Sequence, residues 1–537
     1  MTDATLAAEA PRDGARALPR AGAVAWPPRG AAALALLAAV ALLVYRPWVA
    51  APFSTLDFSE FLPLLRAPGG VVGHFVILAK YFAGHGRSAW VTYAWISLNW
   101  SLFGEWARGW DLLRFALMCG VAGLAWAFLR RVGCSAAGAT AGAALLVVGT
   151  PAQEGWTRLT GEPLGLAALL GAAMLALGYP AARRWPARAA AIALLLGLAV
   201  LAKEVLAVCA LPVVLLAVFG LPARGPVKLS LGRRTGAVVA LSLLSVGAAA
   251  LLVVATLRAA PASGYAQSYG HGALNSVRYT LTLQLMGLPI SRTLPLPVRV
   301  AAALLGSVAA LGWALLLHRP QRRDGRLLAL VLVLMVPALG AAVYLPWPRV
   351  ERFYALPFLA GPVVLLGVGV TGLMRRVGPL YALLPVVAGL TLAAADAAAH
   401  ADEAVAIRQM NGTLARALGT MPGVDTVFVA LPRSEFAAQA WQGPGPTLRR
   451  YAVATGVAGV NAPAVLDADC GEVAARFRGP PRRVAFISYA QACGPLPAGA
   501  RTVERPYGYL NLLSLRRLPR VARAELWLPP GGQGGSR

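Results

Sequence analysis

The apolar stretch AAALALLAAVALLVYRPWV at residues 31–49 is followed directly by AAPFSTLDFSE at residues 50–60. A run of about 20 predominantly apolar residues is long enough to cross the hydrocarbon core of a bilayer as an α-helix. The second stretch places two carboxylates, Asp57 and Glu60, where the chain leaves that helix. The two stretches together predict a membrane span that leads into an acidic loop at the membrane surface.

The composition of the whole chain indicates a membrane protein. Of its 537 residues, 58% are hydrophobic and 13% are charged, and the mean hydropathy is +0.63. Soluble proteins average about 25% charged residues, so an ordinary soluble domain is excluded. We therefore predict a polytopic α-helical membrane protein, because helices satisfy their backbone groups inside the bilayer.

Eleven apolar stretches are predicted to span the membrane. They lie at about 31–49, 111–129, 134–150, 162–180, 187–202, 205–220, 236–257, 299–317, 327–346, 354–373 and 379–397. The length of the first run, and Arg46-Pro47-Trp48 at its end, favour a retained anchor over a cleaved signal peptide. The stretch at 134–150 is short, and the Lys203-Glu204 pair interrupts the apolar pattern between two others.

Arginine and lysine recur in every second loop, which predicts the orientation of the chain. These basic positions are Arg12, Arg16, Arg20 and Arg29, Arg130-Arg131, Arg183-Arg184, Arg224 to Arg234, Arg319 to Arg326 and Arg375-Arg376. The tail at residues 1–30 is then cytoplasmic, in a multi-pass inner (plasma) membrane protein of bacterial type. An odd number of spans places the loops at 50–110 and 258–298, the turn at 349–354 and the C-terminal region outside.

The formal net charge of +27 has two components. Most of it follows from the cytoplasmic loops, but the outer loops also carry arginines, which suggests an anionic ligand. The charge is scattered over loops without a recognisable nucleic-acid-binding motif, so a nucleic-acid partner is not expected.

The first outer loop, at 50–110, is too apolar for a solvated connection. Its apolar side chains recur at helical spacing, and Trp90, Tyr93, Trp95 and Trp100 add aromatic groups. Amphipathic helices that lie in the membrane interface have this character, with Trp and Tyr at the level of the headgroups. The loop is predicted to cover the outer ends of the spans.

The last part of the chain, residues 398–537, changes character. Charged residues, Pro and Gly return, and the apolar runs at 426–431 and 483–488 read as buried strands. We predict a small extracytoplasmic α/β domain. In an oxidising compartment Cys470 and Cys493 could form a disulfide within it.

Residues 31–397 resemble the GT-C superfamily. The resemblance is carried by the acidic residue at the start of a long outer loop, by Leu201-Ala202-Lys203-Glu204, and by Arg352-Phe353-Tyr354-Ala355-Leu356-Pro357 opening a late span. GT-C proteins are integral-membrane glycosyltransferases that use polyprenyl-phosphate sugars. The resemblance therefore implies membrane lipids and a polyprenyl-phosphate-linked sugar as partners, with a lipid, glycan or protein as acceptor.

Sugar transfer from a lipid phosphate needs a carboxylate that takes a proton from the acceptor hydroxyl or holds a divalent metal. Asp57 is the candidate for this catalytic role. Glu60 follows one helical turn later and would share a face with Asp57. The alternative is that Asp57 only caps the helix that follows it.

The departing phosphate needs cationic groups. The candidates for donor phosphate binding are Arg352, Arg349, Lys203 and Tyr354. A guanidinium can bind two phosphate oxygens at once, although helix anchoring would also explain Arg349. Further candidate substrate-binding residues are Glu351, Glu204, His74, His85, Arg158, Glu162, Tyr269 and His271. Arg158 and Glu162 could equally be a local ion pair, and the two histidines could be surface residues.

These features predict an inverting glycosyltransferase that acts at the outer face of the membrane. A transporter or lipid flippase, with the same charges lining a path, is the alternative from another class. Transporters often show internal repeats and charges deep within spans, whereas these charges cluster at one face and no repeat is visible. A non-catalytic GT-C-like scaffold is the third reading.

Overall fold

The computed structural model describes most of the chain. The described residues are 28–45, 61–85, 87–177, 179, 182, 184–219, 232–259, 296–317, 335–336, 338–340, 342–343, 352–421, 423–430, 448–449, 451–453, 455, 457–458, 461–468, 483–489, 499–511 and 516–528.

Helices dominate the first four-fifths of the chain. They are α1 (Pro28–Tyr45), α2 (Val71–Gly84), α3 (Trp90–Phe103), α4 (Ala107–Arg131), α5 (Ala136–Val148), α6 (Thr150–Gly155), α7 (Glu162–Leu177), α8 (Trp185–Ala202), α9 (Ala210–Phe219), α10 (Arg233–Ala259), α11 (Leu296–Leu317), α12 (Ala360–Arg376) and α13 (Pro379–Gly419). Every predicted span except 327–346 overlaps a helix or a pair of consecutive helices over most of its length. Of that exception only 335–336, 338–340 and 342–343 are described, and these are helical.

Length and composition agree with a membrane location for these helices. Among the described residues, five helices are long and apolar enough to cross a bilayer, and several others are apolar but shorter. The polytopic helical fold expected from the composition is therefore confirmed.

Small residues let the spans approach each other closely. A Cβ atom at Gly138 would lie 2.4 Å from the Gly367 carbonyl oxygen, and one at Gly142 would lie 2.5 Å from that of Val363. Both glycines lie on α5 and both carbonyls on α12. Helix pairs in membranes use such small residues because close backbone packing replaces the missing hydrophobic driving force.

One helix is interrupted at Lys203, and another is preceded by short 3₁₀ helices. The α8 helix ends at Ala202, Lys203 takes an extended conformation, and a 3₁₀ helix runs over Glu204–Cys209 before α9. Two further 3₁₀ helices, Arg352–Ala355 and Pro357–Leu359, lead into α12. The interruption predicted at Lys203-Glu204 is thus a break in a helix.

The described part of the loop predicted to lie outside, residues 61–85 and 87–110, forms the compact helical cover expected from its spacing. A helical segment at 61–65 packs with α2 and α3 around a core that includes Leu62, Leu78, Phe82 and Ile96. The Phe82 and Tyr93 rings stack at 5.2 Å between centroids. These helices bury one apolar face against each other and against Trp110 at the start of α4.

The C-terminal region contains a five-stranded mixed sheet. Its strands are β1 (Thr426–Ala430), β2 (Ala464–Ala468), β3 (Val484–Tyr489), β4 (Arg501–Asn511) and β5 (Arg516–Trp527), in the order β2-β1-β3-β5-β4. The first three are parallel, and β5 runs antiparallel to β3 and β4. Both predicted strands, β1 and β3, are confirmed. Cys470 and Cys493 lie outside the described residues, so the disulfide stays a prediction.

One helix joins the two parts of the molecule. The α13 helix continues without a break from the predicted span at 379–397 into the sheet region, about 60 Å in all at 1.5 Å per residue. Met410 and Leu414 on its second half pack in the core of the sheet domain. Residue 398, the predicted domain boundary, therefore lies within a continuous helix.

Two of the predicted basic turns, which the structure describes, lie together at one end of the helix bundle. Arg130 and Arg131 end α4, and the nearby Ser135 backbone N–H donates to Thr371 Oγ at 2.9 Å, just before Arg375-Arg376. These two turns, both predicted to be cytoplasmic, lie side by side. The Glu162 and Lys203 positions lie at the opposite helix ends, where α7 begins and α8 stops.

Candidate functional site

Three segments meet closely where α7 begins. A Cβ atom at Gly161 would lie 1.9 Å from the Ala202 carbonyl oxygen and 2.6 Å from Thr92 Oγ. Thr92 on α3 donates a hydrogen bond to the same carbonyl at 3.2 Å. Only a residue without a side chain allows the helix cover, the end of α8 and the start of α7 to share this point.

Glu162, the next residue, is the centre of a charged cluster. Its side chain is 1% exposed, and its Oε1 lies 3.5 Å from the Nζ of Lys203, which is 17% exposed. The Lys203 ammonium also lies 4.8 Å from the centre of the Tyr354 ring, within the range of a cation–π contact. Three predicted site residues, far apart in sequence, therefore form one cluster. The sequence did not indicate Lys203 as the partner of Glu162.

Polar groups around this cluster are buried without hydrogen bonds. Within the described part of the chain, both Glu162 carboxylate oxygens and Thr160 Oγ find no hydrogen-bond partner. A buried polar atom left unpaired costs about 1–3 kcal/mol, so unpaired groups at one place indicate a position for a ligand. Burial raises the pKa of the Tyr93 hydroxyl. The charge of Glu204 also raises this pKa, and the charge of Lys203 lowers it.

The loop that carries this cluster is held from two sides. The Thr157 carbonyl accepts hydrogen bonds from Arg114 Nη1 and from Arg408 Nη2, both at 3.0 Å. Gln153 Nε2 donates to Asp396 Oδ2 at 3.0 Å. Since Arg408 and Asp396 belong to α13, the helix that enters the sheet domain also positions the loop before Glu162.

Sequence reasoning missed Arg114, Asp111 and Arg408. Arg114 pairs with Asp111 one turn earlier on α4, and this acid–base spacing at the outer start of a predicted span was a readable signal. Arg408 had no such signal, because its role depends on how α13 packs. A cleft beside the cluster is lined by Thr92, Trp95, Arg114, Arg158 and Thr160, so Arg158 lies next to the site.

The remaining predicted residues are placed as follows. Asp57, Glu60, Arg349, Glu351, Tyr269 and His271 lie outside the described residues. Arg352 is described by its backbone, in the same 3₁₀ helix as Tyr354. Glu204 starts the 3₁₀ helix next to Lys203.

The two histidines have structural partners in the helix cover. His74 is buried rather than at the surface, and its Nε2 donates to the Ala67 carbonyl at 3.0 Å. His85 Nδ1 donates to the Tyr81 carbonyl at 2.8 Å. Among the described residues no group of three or more His, Cys, Asp or Glu side chains could hold a metal ion.

A broken helix, a helical cover over one end of the bundle and a C-terminal sheet domain define the class of protein as a polytopic helical membrane protein with an extramembrane domain. No family model and no protein of curated function matches the sequence. Solved structures do match.

The first is the crystal structure of ArnT from Cupriavidus metallidurans in the apo state, at 15% identity and a TM-score of 0.50, covering 92% of this chain and 98% of ArnT. ArnT bound to undecaprenyl phosphate matches at 14% identity and a TM-score of 0.48, covering 94% and 99%. The Archaeoglobus fulgidus oligosaccharyltransferase complex with zinc and sulfate matches at 12% identity and a TM-score of 0.43, covering 86% and 68%. The likeness to apo ArnT confirms the GT-C fold that the sequence resemblance implied.

Proposed function

We propose that this chain is a membrane glycosyltransferase that moves a sugar from a polyprenyl-phosphate donor to an acceptor at the outer face of the membrane. The observation that carries the proposal is the Glu162–Lys203–Tyr354 cluster. It places a cation beside buried polar groups that have no hydrogen bond from the described residues, at a helix break, in a chain with the GT-C fold. The proposal is in keeping with ArnT, which has been crystallised with undecaprenyl phosphate.

The cluster suits the binding of a phosphate that gains charge as the sugar leaves. The Lys203 ammonium is held by the Glu162 carboxylate on one side and the Tyr354 ring on the other. A cation fixed before the reaction stabilises developing negative charge without reorganisation. Arg352 lies two residues before Tyr354 in the same 3₁₀ helix, and we assign its guanidinium to two further phosphate oxygens.

The acceptor hydroxyl is activated by Asp57 in this proposal. The hydroxyl oxygen forms a bond to the anomeric carbon while the bond from that carbon to the phosphate oxygen breaks. The electron pair of the broken bond goes to the phosphate, and the hydroxyl proton goes to the Asp57 carboxylate. Attack opposite the phosphate inverts the anomeric configuration. The product is a glycosylated acceptor together with free polyprenyl phosphate.

The test is the variant Asp57→Asn. It removes the charge of the carboxylate but keeps its shape, so transfer should fall by about 10² to 10⁴-fold for a lost general base. Transfer is measured by mass spectrometry after membranes are supplied with a mixed pool of polyprenyl-phosphate sugars. If Asp57 only caps a helix, Asn is a nearly equivalent cap and activity stays unchanged.

The matched variant is Glu60→Gln, which removes the neighbouring carboxylate. Full transfer in the double variant would exclude the first outer loop from the mechanism. If added divalent metal restores transfer in the Asp57→Asn variant, the role of Asp57 is to bind a metal ion and not to take the proton. Movement of intact lipid-linked sugar across the membrane, without product, would instead support the transporter alternative.

The outer location is tested by labelling. A membrane-impermeant thiol reagent applied from outside should label a cysteine introduced at Ser434. It should not label one introduced at Arg322. The reverse pattern would contradict both the orientation and transfer at the outer face.

A further inference from the structure

A cavity at the junction of α13 and the sheet domain is separate from the Lys203 cluster. Its volume is about 340 Å³, and it is lined by Gln409, Gly412, Arg416, Tyr451 and Arg505. The lining joins α13, strand β4 and the helical turn that contains Tyr451. No part of the transfer chemistry uses it.

Two guanidinium groups converge in this cavity on one neutral oxygen. Arg505 Nη2 donates to Thr413 Oγ at 2.9 Å, and Arg416 Nη2 donates to the same atom at 3.3 Å. In the part of the chain that the structure describes, neither group forms an ion pair with a carboxylate. Two like charges beside one hydroxyl repel each other, so an anion between them would be stabilised.

The neighbouring carboxylates are engaged elsewhere. Glu504, next to Arg505 on β4, lies 3.6 Å from Arg523 Nε. Glu403 on α13 accepts a hydrogen bond from the Tyr507 hydroxyl at 3.2 Å. The positive charge of the cavity is therefore not neutralised by these two acids.

The other lining groups can also donate hydrogen bonds. Tyr451 is largely buried, and burial raises the pKa of its hydroxyl, so this group stays protonated at neutral pH. Gln409 contributes a side-chain amide. Two guanidinium forks, a phenol and an amide form a set of donors that suits the oxygen atoms of a phosphate or a carboxylate.

The cavity is also connected to the loop of the proposed donor site. Gln409 directly follows Arg408, whose guanidinium donates to the Thr157 carbonyl five residues before Glu162. We propose that the cavity binds an anionic group, phosphate or carboxylate, of the acceptor molecule, an assignment that rests on the proposed glycosyltransferase function.

The test compares Arg416→Gln with Arg505→Gln and the double variant, using inorganic phosphate as the probe. Isothermal titration of the full chain in a neutral detergent should show affinity falling about tenfold for each arginine and about a hundredfold for both. The control is Arg501→Gln on the same strand, an arginine that is exposed, as Arg416 is, but lies about 13 Å from Arg505 at 3.3 Å per residue. It should bind phosphate like the unmodified chain.

Reconstitution separates the two sources of such an anion. The phosphate titration is repeated in nanodiscs of phosphatidylcholine alone and in nanodiscs that also contain phosphatidic acid. Loss of the phosphate signal only with phosphatidic acid would support a lipid headgroup as the occupant. An unchanged signal would support an anion on a glycan, a protein or another acceptor outside the membrane.

Two results would overturn the proposal. Equal phosphate affinity in the double variant and in the unmodified chain would exclude the cavity as an anion site. If phosphate binding depends on the two arginines but the chain transfers no sugar, the cavity is an anion site, and both the proposed function and the assignment of the anion to an acceptor are wrong. Binding of undecaprenyl phosphate, measured in parallel, should be the same in the double variant, so the donor and acceptor sites are read separately.

Discussion

The two ends of the helix bundle differ in the hydrogen bonding of selected buried polar groups. At the end with Arg130-Arg131, Ser135 and Thr371 bond to each other and Thr371 Oγ donates to the Gly367 carbonyl at 2.8 Å. At the other end, the Glu162 carboxylate and the Thr160 hydroxyl are buried without hydrogen bonds from the described residues. The first end is a structural joint, and the second is the end to which we assign the donor site.

This difference in hydrogen bonding distinguishes the two ends better than their charge does. Both ends carry arginines and glycines at close helix contacts, so composition does not distinguish them. Unpaired buried polar groups are expensive and are found at sites where a ligand or a reaction repays the cost. The comparison therefore predicts that substitutions at the Thr160–Lys203 end change activity, whether or not they change stability, while those at the Ser135–Thr371 end change stability alone.

The largest effect is expected from Lys203→Met. It leaves the Glu162 carboxylate buried without its cation, which costs about 3–5 kcal/mol of folding stability, and it removes the proposed phosphate contact. Thermal unfolding in detergent and the transfer assay measure the two effects. The double variant Lys203→Met/Glu162→Gln should regain most of the stability but none of the activity. Recovery of both would make the pair structural only.

Gly161→Ala should be the next most damaging change. Its Cβ would lie 1.9 Å from the Ala202 carbonyl oxygen, a backbone atom that cannot turn away, so a cost of about 1–3 kcal/mol is expected. Transfer should fall because α7 and the end of α8 move apart. Gly120→Ala on α4 is the control, since nothing lies within 4 Å of the added atom. Equal melting temperatures for the two variants would contradict the close approach.

Arg352→Lys tests the donor phosphate at the same end. Lysine keeps the charge but loses the planar fork, so donor affinity should fall about tenfold while the fold is retained. Binding of undecaprenyl phosphate to the purified variant measures this. An unchanged affinity, together with an unchanged melting temperature, would assign Arg352 to helix anchoring.

The smallest effect is expected at the other end, from Thr371→Val. The variant loses the bonds to Ser135 and Gly367 at nearly constant volume, which should cost about 1 kcal/mol of stability. Transfer activity should be unchanged in the folded fraction. A selective loss of activity would show that the two ends are coupled and that the contrast between them is wrong.

Much of the fold could be predicted because membrane helices follow from local composition. The apolar helices, the break at Lys203-Glu204 and the strands β1 and β3 each depend on short runs of residues, and the described residues contain them. The boundary at residue 398 was placed where polar residues return, but polar composition does not end a helix that can pack against a sheet. The α13 helix therefore continues through it.

The candidate site was only partly predictable for a related reason. Lys203, Tyr354 and Glu162 were each singled out as charged or aromatic groups at the outer ends of spans, since such groups are costly near a membrane unless they have a role. Asp57 and Glu60 remain predictions. Arg408 was not singled out, because an arginine beyond a span is ordinary in sequence.

The sequence by itself determined that this chain is a helical membrane protein, which loops are basic, and that an acidic segment follows the first span. These properties depend on the free energy of transferring short segments of the chain from water to lipid, and the composition of each segment largely determines that free energy. Only the tertiary structure decided that Glu162 meets Lys203, that Tyr354 lies beside both, and that Arg408 reaches the loop before them. Such contacts join residues from different helices, and they depend on which faces pack together and on the missing side chain at Gly161.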